Sequence, residues 1–598
     1  MPKRQRPRSK AYIREHPIHP VYLVPIVLII ILVPLIVRAN LFELSEASQL
    51  YWPDDVYVDF FSYYKSIWFT VLTFISAAMT LYLYWTKRIL LESLLAFWPL
   101  FIYFALVVIS YLFADPKSIA TAGYMGSYQG LFVMLGYGII VMVVAFLITD
   151  ESHMRLITSA LITVGVVVFF IGASQYFGRD FFNTSLGQTL IFPSSLESLQ
   201  ESMEIRFGQN DIYATMYNTN FVGSFAALMI PFSFALFMRV RHWVHTPLLM
   251  VFFAGMVFIA FGSNSRAGIV GIGASFIVIL AMFRKMLLRH PIKFVIPFLL
   301  MGSTGYILDQ VSDGRIEEEL RSLSIRADYE RSQERFIFDE VSVHDKSIVI
   351  DSEEEGMVIL HRGTRPLAFE TLEGERLDAH FEDNTYGFDE GPYEPFEVQL
   401  RQQGEIRVTA YGESFTAYMV QEGFRTVDVF GNVTVPGESA HVGWMAPYGA
   451  MFSNRVLIWA HAIPLLGDAI LIGEGPDMFT TAFPNDDITL RMNGMSENAL
   501  VDKPHNMYLQ IGTNIGVVGL LALMIFFIRY VYDSLKLYIH GRFHTFAEFL
   551  GVGLLSSVIA YLVTGFFNDQ RISVAPLFYI MLGLGIAVNA YNRRKSLQ

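Results

Sequence analysis

The stretch VYLVPIVLIIILVPLIV, residues 21–37, decides the class of fold. It carries no charged residue and is long enough to cross the hydrocarbon core of a bilayer as a helix. The basic segment MPKRQRPRSKAYIR (1–14) precedes it and no small-residue cleavage site follows, which predicts a retained membrane helix and not a removed signal peptide. The 598-residue chain is 53% hydrophobic and only 16% charged, a composition that excludes an ordinary soluble domain.

Eleven further apolar stretches follow, so the sequence predicts an all-α polytopic membrane protein of about twelve transmembrane helices. An even number places both termini on one side. Basic loops mark the cytoplasmic face of a membrane protein, and five basic segments besides the N-terminus fall on one face under this count: 86–88, 239–245, 283–293, 536–542 and 592–595. We therefore expect cytoplasmic termini in a bacterial cytoplasmic membrane. The expected spans are 20–37, 66–84, 96–114, 130–149, 156–176, 217–238, 246–262, 266–283, 292–309, 506–530, 545–567 and 573–592.

The acidity of the chain belongs to one inserted segment. Residues 311–445 carry 29 acidic against 12 basic residues, whereas the rest carries 26 against 31. Alternating stretches such as SIVIDS and IRVTAYG predict an extracytoplasmic β-rich domain over 310–445. Residues 446–505, with SNRVLIWAHAIPLL as an amphipathic helix, are expected to lie on the membrane surface. Transmembrane helices 1–9 then occupy 1–309 and helices 10–12 occupy 506–598.

The stretch GSNSRAGIVGIGASF (262–276) predicts an anion site on the outer face. Ser263, Asn264 and Ser265 are typical N-cap residues, and Arg266 follows at the helix start. A helix N-terminus and a guanidinium both favour phosphate. The glycines that follow would let another helix or a lipid chain approach closely. The plainer alternative for Arg266 is a helix-end anchor.

A second motif, DKPHNMYLQIGTNIGVVGLL (502–521), places a titratable histidine, His505, at the mouth of the tenth predicted span. The alternative for His505 is a capping or packing residue. Further polar residues fall on the same predicted face and are candidate substrate-binding residues. For Lys65 and Arg455 the alternative is an interfacial anchor, for Asn220 a bond between helices, and for Arg206 a solvated loop residue. These candidates are Lys65, Arg206, Asn220, Arg455, Asn506, Tyr508 and Asp569.

The pairing of SNSRAGIVG (263–271) with PHNMYLQIGTNIGVVGLL (504–521) resembles the bacterial O-antigen ligase and polysaccharide polymerase superfamily. Three further stretches resemble it in the same order along the chain: GYMGSYQGLFVMLGY (123–137), YNTNFVGSFAALMIPFSF (217–234) and NRVLIWAHAIPLLGDAILIGEGPDMFTTAFP (454–484). The insert is larger than the corresponding loop of a typical ligase.

The resemblance implies a GT-C-like, metal-independent glycosyltransferase without a cofactor, acting on the outer membrane face. Its donor would be a glycan on undecaprenyl diphosphate. Arg266 and Arg206 would hold the diphosphate, His505 would be the base on the acceptor hydroxyl, and Asp569 would support it. Lys65 matches a basic residue of the family. Besides the donor, the expected partners are membrane lipids and a glycan, lipid or protein acceptor, and no nucleic acid.

Other functions remain open at this stage. A transporter or flippase of lipid-linked sugars also fits twelve spans, although such proteins usually place polar groups near the bilayer midplane. A sensor with a ligand-binding β-rich domain is another alternative, and a peptidoglycan polymerase of the SEDS type is a third. Within the favoured class, ligase and polymerase differ only in the acceptor. A single displacement would invert the anomeric carbon, with fixed arginines in place of a metal.

Overall fold

The computed structural model describes residues 18–89, 94–196, 210–239, 244–321, 324–333, 335–361, 367–389, 391–420, 423–434, 440–495 and 499–596. The protein is mostly helical, with a β-rich insert between the ninth and tenth of its apolar helices. Both features confirm the prediction of a polytopic helical protein that carries an inserted β-rich domain.

In the described part of the chain, twelve apolar helices form the bundle, one in each segment where the sequence predicts a span. Nine of these are long and apolar enough to cross a membrane, with α3 counted together with the 3-10 turn before it as Leu94–Phe113, whereas α1, α4 and α8 are shorter. Crossing by those three stays a prediction. The helices are α1 Val24–Leu35, α2 Tyr63–Trp85, α3 Trp98–Phe113, α4 Leu131–Leu147, α5 Glu151–Tyr176, α6 Thr219–Arg239, α7 His245–Gly262, α8 Arg266–Met282, α9 Ile292–Val311, α10 Val517–Tyr538, α11 Phe546–Thr564 and α12 Ala575–Ser596.

Helices α6, α8 and α11 pack against one another at the centre of the bundle. Small residues allow the close approach: a Cβ on Gly268 would lie 2.9 Å from the Gly223 backbone, and one on Gly271 would lie 2.7 Å from the Ala560 carbonyl oxygen. Gly273 faces open space. Two of the three glycines after Arg266 therefore serve helix–helix contacts, as expected for small residues in membrane bundles.

Basic side chains meet at the end of the bundle opposite the insert. Arg155 and Arg239 both lie over the Phe546 ring, at 4.4 and 5.2 Å. Lys293 Nζ donates to the Met238 carbonyl at that end. The clustering agrees with the common face expected for the basic loops; the side of the membrane that this face occupies stays a prediction.

The tenth predicted span, 506–530, is interrupted at Gly516. A separate helix, Met507–Ile515, ends there, and α10 begins at Val517. Gly516 has φ +90°, which a side chain would strain. Val517 N–H donates to the Ala469 carbonyl at 2.8 Å, so a neighbouring segment satisfies the groups freed by the break. His505 consequently precedes a short helix and does not lie in the first turn of a span.

The insert contains two antiparallel sheets, with strands ordered β3-β4-β5-β6-β7 and β8-β9-β10-β11-β12-β13-β14, that share one apolar core. Alternate residues are buried along β4 and β11, which explains the period-two pattern of the sequence. The strands are β3 Phe338–Val343, β4 Ser347–Ser352, β5 Met357–Leu360, β6 Ala368–Thr371, β7 Arg376–Leu377, β8 His380–Glu382, β9 Thr385–Gly387, β10 Phe396–Leu400, β11 Glu405–Ala410, β12 Glu413–Val420, β13 Gly423–Val427 and β14 Val433–Thr434.

The boundary predicted at residue 445 does not separate two independent parts. The short helix Ile488–Met492 buries Ile488 and Met492 in the core of the β domain. Asn493 also accepts from Phe338 N–H and donates to the Phe338 carbonyl, at 2.9 and 2.8 Å. The segment predicted to lie on the membrane surface therefore also fastens the β domain to the bundle.

Shorter elements lie at both ends of the bundle and within the insert; the insert end is the one that carries residues 312–505. A hairpin of β1 (Asn40–Glu43) and β2 (Val56–Asp59) lies there. The remaining helices, some of them 3-10, are Pro20–Leu23, Glu46–Gln49, Leu94–Phe97, Lys117–Ala122, Phe181–Asn183, Ser185–Ile191, Ser194–Leu196, Arg284–Arg289, Arg315–Arg321, Ile325–Gln333, Gln402–Gly404, Gly443–Tyr448, Met451–Asp468 and Phe479–Ala482.

Candidate functional site

His505 and Asp569 face each other at the insert end of the bundle. His505 Nδ1 lies 3.4 Å from Asp569 Oδ1. That oxygen is buried and makes no hydrogen bond among the described residues, so its contact with His505 is an ion-pair contact. A carboxylate in this position favours the tautomer with its proton on Nδ1, which leaves Nε2 as a proton acceptor. The His505 backbone has φ +49°, an uncommon conformation outside glycine that is often found at functional sites.

Asn506 holds His505 in place from the following position. Its side chain caps helix Met507–Ile515 by accepting from Tyr508 N–H and Leu509 N–H, at 2.9 and 3.1 Å. Its amide nitrogen donates to the Phe566 carbonyl at 3.1 Å. One residue thus fixes the helix start and the loop that carries Asp569.

A chain of alternating charges continues from Asp569. Arg571 Nε lies 3.4 Å from Asp569 Oδ2, and Arg571 Nη2 lies 3.4 Å from Asp502 Oδ2. Lys503 Nζ lies 2.9 Å from Asp502. All belong to the His505 segment or to the loop between α11 and α12. Such a network holds charges in a buried place because each has a partner.

This network keeps both carboxyl groups ionised. Burial raises the pKa of Asp569, but His505, Arg571 and Lys503 together outweigh it and hold the pKa well below its usual range. Burial likewise raises the pKa of Asp502, and Lys503 and Arg571 reverse the shift. Burial alone lowers the pKa of Arg571, but the negative charges of Asp569 and Asp502 outweigh burial and hold this pKa above its usual value. Arg571 is therefore cationic and Asp569 anionic at physiological pH.

Arg455 joins the two motifs that the sequence singled out. Its guanidinium has no hydrogen bond or ion pair within the described residues, and burial lowers its pKa. The negative charge of Asp569 acts against this shift, and the positive charge of Arg266 reinforces it. Arg455 therefore lies within electrostatic range of both. The predicted anion site at α8 and the His505–Asp569 pair belong to one region of the molecule.

Arg266 lies at the start of α8, where the sequence predicts it. Ser265 is the N-cap and accepts from Gly268 N–H at 3.2 Å. The Arg266 guanidinium contacts a carboxylate of the insert, with Nε 3.2 Å from Glu319 Oε1. The same insert helix places Arg315 2.8 Å from Asp211. The first helix of the insert is thus tied to the candidate anion site.

Asp477 fastens the loop 123–129 to the site. Its carboxylate accepts from Tyr124 N–H, Gln129 N–H and Ser127 Oγ, each at 2.9 Å. Burial raises the pKa of Asp477 to about 6, against the opposing effect of these donors and of Arg571. Two of the stretches that carry the family resemblance, 123–137 and 454–484, therefore meet at this carboxylate.

Amide groups fix the loop between α11 and α12 from the bundle side. Gln570 N–H donates to Gln510 Oε1 at 2.9 Å, and Tyr579 Oη donates to Gln570 Oε1 at 2.8 Å. Gln129 Nε2 donates to the Gln570 carbonyl at 2.7 Å. Since these groups are buried and paired, the two charged neighbours of Gln570, Asp569 and Arg571, have fixed positions.

Asn220 and Tyr508 connect helices. Asn220 Oδ1 lies 3.3 Å from Ser265 Oγ, and its carbonyl accepts from Asn568 Nδ2 at 3.1 Å. Tyr508 Oη donates to the Leu562 carbonyl at 2.6 Å. These contacts favour the plainer alternative for Asn220, a bond between helices. Tyr508 likewise supports the short helix after His505.

Lys65 lies at the start of α2, next to strand β2. Its side chain is fully buried and donates to the Thr215 carbonyl, so it is not a snorkelling anchor. Asp59 accepts from the backbone at the start of α2 and interacts electrostatically with Lys65. That Lys65 lines the substrate site stays a prediction. Arg206 lies outside the described residues.

Sequence reasoning missed Arg571, Asp502, Lys503 and Tyr57. Arg571 also donates to the Gly126 carbonyl at 3.4 Å. Burial raises the pKa of Tyr57, and the charges of Arg571 and Asp502 also act on its hydroxyl, which places strand β2 beside the site. The signal available for Arg571 was its place in FFNDQRI (566–572), where two opposite charges stand in a short apolar loop.

The cluster combines a histidine that can accept a proton, a buried carboxylate that orients it, and a guanidinium without a partner among the described residues. Such a set can deprotonate a hydroxyl and stabilise a developing anion next to it.

Comparisons of this chain with models of protein families, with curated proteins and with solved structures found no match.

Proposed function

We propose that this chain is a membrane glycosyltransferase of the O-antigen ligase and polysaccharide polymerase class. It would transfer a glycan from undecaprenyl diphosphate to an acceptor hydroxyl. One observation carries the proposal: His505, oriented by Asp569, and Arg455, within range of Arg266, meet at one end of the apolar bundle. We further propose that this end faces outward from a bacterial cytoplasmic membrane and that both termini are cytoplasmic.

In the proposed reaction, His505 Nε2 accepts the proton of the acceptor hydroxyl while the oxygen attacks the anomeric carbon. The bond between that carbon and the diphosphate oxygen breaks, and its electron pair stays on the diphosphate. Arg455 and Arg266 stabilise the negative charge that develops there. Asp569 remains ionised and holds the imidazolium that forms. A single displacement of this kind inverts the anomeric carbon.

The diphosphate would have to replace Glu319 at Arg266. The Glu319 carboxylate contacts the Arg266 guanidinium, with Oε1 3.2 Å from Nε. A diphosphate has a higher charge and can form two parallel hydrogen bonds, so it can compete with this carboxylate for Arg266. The lipid tail would lie against the apolar helices of the bundle. This exchange would couple donor binding to the first helix of the insert.

The test is transfer by the purified protein. A defined undecaprenyl-diphosphate oligosaccharide is incubated with the wild type in nanodiscs, with and without candidate acceptors, and the products are sized. We expect a longer or transferred glycan and free undecaprenyl diphosphate, both lost in His505→Ala while the protein still inserts and melts normally. Full activity of His505→Ala would remove the proposed base. Movement of the intact lipid across liposomes, without any product, would instead indicate a flippase.

A further inference from the structure

Three aromatic rings stand beside the candidate base. Phe452 lies 6.1 Å from Trp459 and 5.2 Å from Phe567 between ring centroids, and Trp459 lies 6.3 Å from Phe567. All three are partly exposed. Trp459 Nε1 donates to the Pro504 carbonyl at 2.9 Å, which ties one ring to the residue before His505. The rings are therefore held at the edge of the proposed active site.

More aromatic side chains extend from these three rings along the insert. Helix Gly443–Tyr448 packs on the helix that carries Trp459 and on helix Ile325–Gln333. It exposes Trp444 to 74% and Tyr448 to 37%, and Tyr448 pairs with Tyr329 at 5.9 Å. Large exposed aromatic side chains grouped in this way mark a binding surface more often than scattered ones do.

The surroundings of the outer rings are polar. Helix Ile325–Gln333 carries Arg326, Asp328, Glu330 and Arg331 in nine residues, and Gln333 Nε2 donates to the Pro447 carbonyl at 3.3 Å. A helix with this charge does not lie in hydrocarbon. Aromatic faces combined with charged and amide groups suit a ligand that has both apolar C–H faces and hydroxyl groups, which describes a sugar ring.

The backbone at the inner end of this surface is unusual. Phe452, Ser453 and Asn454 have φ of +52°, +60° and +63°, a left-handed turn of non-glycine residues. Asp328 Oδ2 accepts from Phe452 N–H at 3.2 Å, and Asn454 Nδ2 donates to the Gly494 carbonyl at 3.2 Å. The turn sets the direction of Phe452 and leads directly into Arg455. Strained turns held by surrounding contacts are typical of functional sites.

We propose that these side chains, the aromatic track, bind the acceptor as an extended saccharide chain and lead its end to His505. The aromatic track consists of Tyr329, Trp444, Tyr448, Phe452, Trp459 and Phe567. This inference rests on the proposed transfer reaction and names the chemical class of its acceptor: a polysaccharide, in place of a protein or a lipid without sugars.

The test measures saccharide binding in the absence of donor. Full-length protein in nanodiscs is titrated with hexasaccharides of glucose, N-acetylglucosamine, mannose and galacturonate, and binding is followed by saturation-transfer NMR and tryptophan fluorescence. We expect at least one to bind. Trp444→Ala and Tyr448→Ala should each weaken it by roughly three- to tenfold, the range for loss of one aromatic contact. Trp85→Ala removes an 83% exposed tryptophan elsewhere and should bind as the wild type does.

Three results would overturn the aromatic track. The first is that no hexasaccharide binds, and the second is that the Trp444 and Tyr448 variants bind normally. The third is that spin-labelled lipids quench the fluorescence of Trp444, measured as the difference between the wild type and Trp444→Phe. Such quenching would make the surface a membrane anchor. His505→Ala separates the two proposals. We expect it to lose transfer and keep saccharide binding. If His505→Ala still transfers the glycan and still binds saccharide, only the proposed reaction is refuted. If His505→Ala loses transfer and no saccharide binds to the protein, only the aromatic track is refuted.

Discussion

Asp569 is fully buried, and its Oδ1 lies 3.4 Å from Nδ1 of His505, whose side chain is 34% exposed. The buried member of the pair is fixed by Arg571 on its other oxygen, so only the exposed member is free to meet a solute. This division of roles, with an orienting carboxylate behind an accessible imidazole, is the arrangement that general-base catalysis needs.

Asp569→Asn should reduce glycan transfer by about 10²–10⁴-fold, because the amide no longer fixes the tautomer of His505. The size of the side chain is preserved, and Arg571 keeps Asp502 as a partner. Turnover with a defined lipid-linked oligosaccharide checks this, together with the melting temperature in detergent.

Asp502→Asn is the matched control for this change. It removes a carboxylate from the same charge network without touching His505. Its loss of turnover should be much smaller than that of Asp569→Asn. Equal losses in the two variants would mean that the network matters only for folding.

Acid should destabilise the protein through Asp569 and Asp502. Their pKa values are lower in the folded state than the ordinary value of about 3.9 for an unfolded chain. The stabilisation is therefore complete above the pKa of the unfolded chain. It is lost as the pH falls from that pKa towards the lower pKa of the folded state. Melting temperatures between pH 7 and pH 3 measure the effect. The slope below pH 5 should be shallower in Asp569→Asn than in the wild type, and identical slopes would contradict the assignment.

Arg266→Lys should impair transfer by roughly 10–10³-fold, because an ammonium cannot grip a diphosphate with two parallel hydrogen bonds. Arg315→Lys, in the neighbouring ion pair with Asp211, is the control and should change turnover little. Glu319→Gln should lower the donor KM, since it weakens the carboxylate that occupies Arg266. Wild-type turnover of Arg266→Lys would show that Arg266 does not hold the donor.

Hydropathy and alternation predicted most of the fold because burial follows local pattern. The run 21–37 contains the helix Val24–Leu35, and SIVIDS (347–352) forms strand β4 over the same residues. The break at Gly516 was missed because apolar composition continues across it. The interruption also depends on contacts distant in sequence, because Val517 N–H donates to the Ala469 carbonyl and Val518 N–H donates to the Ile470 carbonyl.

Individual candidate site residues stand out in the sequence where a residue type is unusual for its place. His505, Arg266, Arg455 and Asp569 each stood out as charged or titratable groups at a predicted helix end. Lys65 stands out for the same reason, and it is buried, donates to the Thr215 carbonyl and interacts with Asp59. Which of these residues meet depends on long-range packing, which one sequence does not encode in any local pattern.

The glycines of α8 provide a test of the packing on which the site depends. Gly268→Ala and Gly271→Ala should destabilise the protein by about 1–3 kcal/mol each, because the new Cβ would lie 2.9 Å from the Gly223 backbone or 2.7 Å from the Ala560 carbonyl oxygen. Gly273→Ala meets nothing within 4 Å and should be neutral or slightly stabilising, since alanine is the better helix former. Melting temperatures of the three variants in one detergent give the comparison. If Gly273→Ala were as destabilising as Gly268→Ala, the close contact of α8 with α6 would not be what stabilises this part of the bundle.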